Sequence, residues 1–146
     1  MTNITVKVLV AAPADRVWQA LVDPSEVACW DGASPQSIPD GYPLPGQHAR
    51  WRVAVGPFRL TLHDRISAVQ PGRQLASAID IGPVHLEEEY RLVAVDGGTE
   101  VVSANEVSAR LPGGGHWRGA GGLFRWWADA GVRGAMARLK AHCERD

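Results

Sequence analysis

From Arg50 to Ala109 apolar and polar residues alternate at almost every step. Gly56-Pro57, Pro71-Gly72, Gly82-Pro83 and Asp96-Gly97-Gly98 cut the pattern at short intervals. Side chains on a strand point to opposite faces in turn, so a period of two predicts strands with one buried face. Turns this short join antiparallel neighbours, and an antiparallel meander follows. Trp51, Val53 and Val55 alternate with Arg50, Arg52 and Ala54. Phe58, Leu60, Leu62, Asp64 and Ile66 alternate with Arg59, Thr61, His63 and Arg65. Leu75, Ser77, Ile79 and Ile81 form the next inward set. Leu86, Glu88, Tyr90 and Leu92 then alternate with His85, Glu87, Glu89 and Arg91, before a last strand from Thr99 to Ala109. An earlier strand, Ile4 to Val10, turns Ile4, Val6, Val8 and Val10 inward.

Helical periodicity flanks the strands. Pro13 suits a first helical turn, and Val17, Trp18 and Leu21 give a short helix one apolar stripe. Pro24 opens a second short helix carrying Val27, Ala28 and Trp30. Asp31 to Gly46, with Pro39, Gly41, Pro43 and Pro45, reads as a loop. Leu111 to Gly122 is a glycine-rich loop. From Leu123 to Glu144, Phe124, Ala128, Val132, Met136, Leu139 and Cys143 recur at spacings of three and four, which predicts a long C-terminal helix. Gly131 and Gly134 lie inside it at about 1 kcal/mol each relative to alanine, and imply close packing or free volume beside the helix. The 146 residues fit one domain, 1–146, large enough to bury a core without disulfides or metal.

The formal charge of −1 and scattered cations exclude a dense basic surface, so neither nucleic acid nor membrane is expected as a partner. No apolar run approaches a membrane span, and the N-terminus lacks a basic and apolar leader. The expected location is the cytoplasm, with Cys29 and Cys143 as reduced thiols and Cys29 buried beside Trp30. His48, His63, His85, His116 and His142 show no metal-ligand spacing, so no metal is expected. Gly113 to Gly122 lacks the Lys-Ser/Thr of a phosphate loop and reads instead as a gate, with Trp117 closing over a pocket.

Three segments carry a family resemblance: VLVAAPADRVWQALVDPSEVACW near the start, DGGTEV at the last hairpin, and AMARLKAHCE at the end. With them the chain resembles the helix-grip fold of the START-like (SRPBCC) superfamily, in its polyketide cyclase/dehydrase branch. The resemblance implies an α+β fold: a curved antiparallel sheet, two short helices after the first strand, and a long C-terminal helix that the sheet wraps. It implies a hydrophobic, partly oxygenated ligand held between sheet and last helix. The implied reaction is a cyclisation or dehydration that needs no cofactor. A non-catalytic carrier or sensor of a lipid or quinone, a chaperone-activator-like interaction module, and a homodimer formed through exposed tryptophans are the alternatives.

The expected concave wall is Val6, Val8, Trp51, Val53, Leu60, Leu62, Ile79, Ile81, Tyr90 and Leu92, interrupted by two acids. A carboxyl in an apolar wall resists ionising, which makes Glu88 the first candidate for general acid or base and Asp64 the second. The competing reading has each acid mark a bulge or a solvent-facing edge, or pair with an arginine across the sheet, from Arg50, Arg52, Arg59 and Arg65. Asn105 either bonds a ligand carbonyl or satisfies a buried backbone group. Trp30, Trp51, Leu62, Ile79, Tyr90, Asn105, Trp117, Phe124 and Trp127 complete the expected ligand contacts.

Overall fold

Each alternating run forms a strand, and the glycine and proline pairs form the turns between them. The computed structural model describes residues 2–110 and 121–145. Strand β1 (Thr2–Val10) leads into helices α1 (Ala14–Val22) and α2 (Pro24–Trp30). Six strands follow: β2 (Ala33–Ser37), β3 (His48–Val55), β4 (Phe58–Gln70), β5 (Gln74–Ile81), β6 (Val84–Val95) and β7 (Gly98–Ala109). Helix α3 (Gly121–Glu144) closes the order. All neighbours pair antiparallel in one seven-stranded sheet, ordered β1-β7-β6-β5-β4-β3-β2. The result is the curved, open sheet and long helix of a helix-grip α+β fold.

Strand β2 lies inside the segment expected to be a loop. It is an edge strand paired only with β3, and of its five residues only Ala33 is buried. One-sided pairing removes the need for alternation and tolerates Pro35, which is why periodicity missed it. Register shifts at Pro35/Ser37 and at Ile66/Ala68 mark irregularities that bend the sheet. At the β6–β7 hairpin Gly97 adopts φ +82°. A Cβ on the next residue, Gly98, would lie 2.0 Å from the Val10 carbonyl oxygen, so only glycine lets β1 and the hairpin meet there.

Asp23 caps α2 by accepting from the Ser25 backbone N–H (2.9 Å) and hydroxyl (2.7 Å), with Pro24 in the first turn. Trp30 and Val27 take the inward face of α2. Cys29, one residue before Trp30 and about 100° around the helix, is therefore exposed rather than buried. Its thiol donates to the Ser25 carbonyl at 3.4 Å. Cys143, by contrast, is buried.

Helix α3 packs chiefly on β1 and touches α1, α2 and β7. Ala128, Met136, Leu139 and Cys143 face the core. Its C-terminal half is tied down by polar contacts: Lys140 donates to the Leu9 carbonyl (2.7 Å) and Glu144 accepts from the Ala11 N–H (2.7 Å). Glu26 on α2 receives both Arg16 of α1 (2.6 Å) and His142 of α3 (2.9 Å). Gly134 leaves space for the Arg138 guanidinium, 3.2 Å from where a Cβ would stand, whereas Gly131 faces open space. The expected packing reason for a glycine thus applies to Gly134 and not to Gly131. Phe58, expected to face inward, is 66% exposed because it starts β4 at the hairpin, beyond the core. Among the described residues no helix is long and apolar enough to cross a membrane.

Candidate functional site

The bent sheet leaves a cavity over β3–β6, closed by α1, α2, the first residue of β2 and Tyr42. The cavity volume is about 50 Å³, and the surrounding atom-free space, open solvent included, comes to about 450 Å³. Trp30, Trp51, Leu62, Ile79 and Tyr90 line it together with Asp64 and Glu88, so seven of the expected site residues meet here. Leu21, Val27, Ala33, Leu75 and Ser77 complete its walls with two residues that sequence reasoning passed over, Asp31 and Tyr42. Among the described residues no side chain of α3 lines it.

Asp64 is 5% exposed. Its Oδ2 accepts from the Tyr42 hydroxyl at 2.8 Å and from the Trp51 indole N–H at 3.3 Å, while Oδ1 is buried with no hydrogen-bond partner. Burial raises its pKa above the usual carboxylate range. The bonds from Tyr42 and Trp51 oppose that rise; Ser77 pulls the same way without bonding Oδ1 in hydrogen-bond geometry. Tyr42 stacks edge-on to Trp51, with ring centroids 6.1 Å apart, and burial beside Asp64 pushes its phenol well up.

Glu88 sits between this cavity and a shallow depression on the outer face of the sheet, so part of the residue stays accessible. Burial nonetheless governs its carboxyl. The pKa is pushed up to about 8 by desolvation, then by the negative charges of Asp31 and Asp64, against a weaker opposing bond from Tyr90. At neutral pH Glu88 is an acid that holds its proton. Asp31, at the C-terminal cap of α2, is raised to about 6 by burial, with the Arg138 charge pulling it back. Arg138 is the reach of α3 toward the site: its Nε donates to the Trp30 carbonyl at 2.8 Å. Trp30 is fixed from the other side, since its indole N–H donates to the Ala20 carbonyl at 2.7 Å.

The remaining expected residues lie elsewhere. Asn105 is buried opposite Glu88 in register, and its amide donates to Ser103 Oγ (2.9 Å) and the Ile4 carbonyl (3.4 Å). It borders the outer depression rather than the cavity. Phe124 and Trp127 stack on one another, ring centroids 6.0 Å apart, away from the cavity lining, and Trp127 is 49% exposed. Trp117, His116 and the proposed gate fall outside the described residues. None of Arg50, Arg52, Arg59 and Arg65 forms an ion pair with Glu88 or Asp64 among the described contacts. Tyr42 was recoverable in principle as the one large aromatic within a glycine- and proline-rich loop. Asp31 carried no signal of its own, because its position depends on where α2 ends against the sheet.

Solved structures with this fold include a Chromobacterium violaceum protein, with a TM-score of 0.77 at 16% identity over 99% of both chains. The Zhui aromatase/cyclase of a Streptomyces species superposes with a TM-score of 0.77 at 22% identity, over 98% of this chain and 93% of that one. DynU16, from the dynemicin biosynthetic locus, gives 0.73 at 22% identity; this chain is covered to 99% but spans about half of DynU16, 48%. At these identities the likeness establishes the fold alone. No curated protein sequence matches. The family model described as polyketide cyclase / dehydrase and lipid transport matches residues 1–144. The chain belongs to the polyketide cyclase / dehydrase and lipid transport family.

Proposed function

We propose that the protein binds an apolar, oxygenated small molecule in this cavity and promotes its cyclisation and dehydration without a cofactor. One observation carries the reading: a protonated Glu88 and a hydrogen-bonded Asp64 face the same aromatic-walled cavity. Acid and base chemistry both need a carboxyl, and the two groups differ in environment: Glu88 is held protonated by burial, whereas Asp64 accepts hydrogen bonds from Tyr42 and Trp51. In the proposed step Asp64 takes a proton from a carbon flanked by carbonyls. That carbon bonds to a second carbonyl carbon of the same molecule, and Glu88 gives its proton to the oxygen that becomes a hydroxyl. Loss of this hydroxyl with a neighbouring proton releases water. Trp30, Trp51 and Tyr90 hold one folded conformer of the substrate, which converts a search among conformers into a single oriented encounter. A ring-bearing substrate also occupies the open space above the cavity, because about 50 Å³ is well below the roughly 300–1,000 Å³ of drug-sized pockets.

The test pairs binding with turnover. Tryptophan quenching by β-diketones and hydroxylated bicyclic aromatics reports binding, and mass spectrometry reports loss of water. Glu88→Gln is expected to leave affinity within about threefold while lowering turnover by roughly 10²–10⁴-fold. Saturable binding with no conversion, indifferent to Glu88→Gln, would replace this reading with that of a carrier.

A further inference from the structure

We propose that two copies of this chain pair through the outer faces of their sheets, with the basic end of one copy seated on the acidic end of the other. This face lies across the sheet from the cavity, so the inference does not rest on the reading of the ligand site.

Strand register lays one row of side chains across five strands: His48, Arg65, Ala78, Glu87 and Glu106, each directly opposite the next. Opposed residues of antiparallel neighbours share a face, and all five alternate with the buried positions of their strands, so the row lies on the outer face. It runs from basic to acidic through an alanine on β5, the fourth of the seven strands. The flanking residues repeat the asymmetry. Arg50, Arg52, Arg59 and His63 share the outer face of β3 and β4, and neither strand turns an acid outward. Asp80, Glu89 and Glu100 stand on the outer face of β5, β6 and β7.

Neither end is balanced within the chain. Arg50, Arg52, Arg59 and Arg65 form no ion pair among the described contacts, and Glu106 forms none either. Glu87 faces Glu106 directly, a like-charge pairing that destabilises a sheet, and it is bonded by the His85 ring at 2.9 Å. Glu89 is taken by Arg91, and Asp80 by His85 at 2.7 Å. One operation balances both ends. A two-fold axis through Ala78, normal to the sheet, reverses the row, which sets Arg65 over the partner's Glu87 and His48 over the partner's Glu106. Such an isologous contact closes on itself as a dimer. Packed sheets stand about 10 Å apart, a gap that an arginine and a glutamate span end to end. Ala76 and Ala78 keep the centre of the contact low, and the shallow depression bordered by Ala76, Glu87, Glu89 and Glu106 receives the arginine. A nucleic acid or an anionic bilayer fits this face poorly, because the acidic end begins two strands from Arg65, roughly 10 Å away. A second copy supplies both signs in the required order.

Sedimentation velocity over a dilution series tests this with wild type, Arg50→Glu/Arg65→Glu and Glu87→Arg/Glu106→Arg. Wild type is expected to dimerise at low salt and to dissociate as salt rises, since exposed charges are screened. Each reversed variant sets like charge against like charge and is expected to weaken self-association by about a hundredfold or more. Mixed in equal amounts, the two variants are expected to pair with each other, because each offers the charge that the other lacks. A wild type that stays monomeric over the whole series overturns the proposal. So does a dimer that persists in high salt and in both variants, which would use another face, such as the exposed Trp126 and Trp127 of α3. Reversed variants that fold, as circular dichroism checks, yet stay apart when mixed overturn it as well. Should a variant fail to fold, the wild-type response to salt decides together with Arg65→Ala, which is expected to weaken pairing about tenfold.

Discussion

Glu88 and Asp64 stand two strands apart, yet both line the cavity, and the charge of Asp64 reaches Glu88. Burial is the first cause of each shift, and the charge of the other acid is a further cause for Glu88. The consequence for stability has a definite sign. A carboxyl whose pKa rises on folding binds more protons folded than unfolded between the two values, so stability falls as pH climbs through that interval. For Glu88 the interval runs from its ordinary 4.5 to about 8, and for Asp31 from 3.8 to about 6. Glu88→Gln removes the larger interval. The variant is therefore expected to be more stable than wild type at pH 9, by at least about 1 kcal/mol, and to match it at pH 4. Denaturant melts at the two pH values measure this, and a gap of equal size at both would contradict the account.

At the scale of elements, α3 is a helix whose two halves do different things. Its C-terminal half is fixed by Lys140, His142 and Glu144 to β1, α2 and the turn after β1. Its N-terminal half leaves Leu123, Trp126 and Trp127 exposed, at 63%, 68% and 49%. Trp126 and Trp127 are adjacent, so no rotation of the helix buries both. Gly131 stands between the halves with open space around it. Among the described residues nothing there repays its helical cost, so Gly131→Ala is expected to stabilise the protein by about 1 kcal/mol. A rise in the midpoint of urea unfolding with an unchanged slope checks it. Gly134 is a different case, since its missing Cβ gives Arg138 room to reach the Trp30 carbonyl and face Asp31.

For the whole molecule the decisive fact is that one core runs from α3 through β1 and β7 to the aromatic floor of the cavity. Leu139, with no exposed surface, belongs to that core. Leu139→Ala is expected to cost about 2–5 kcal/mol, and far-ultraviolet and near-ultraviolet circular dichroism should lose signal together. Separate transitions would show that α3 unfolds independently of the sheet. Most of the architecture was legible in the chain because period-two alternation and glycine-proline turns are local and act without knowledge of the partner strand. They marked the strands from β3 to β7, the inward positions of Glu88 and Asp64, and the stripe of α3. Strand β2 was illegible because an edge strand with one exposed pair of faces leaves no alternation to read. The site was only half legible for a related reason. A sequence pattern assigns a side chain to a face of its own element, and it cannot say which faces of different elements will enclose the same space. The sequence by itself determined that two acids interrupt an apolar wall. Only the tertiary structure decided that Asp31 and Tyr42 join them, that Phe124 and Trp127 stay outside, and that Asp64 is left with an unused oxygen, because those outcomes depend on how far the bent sheet brings β3–β6 beneath α2.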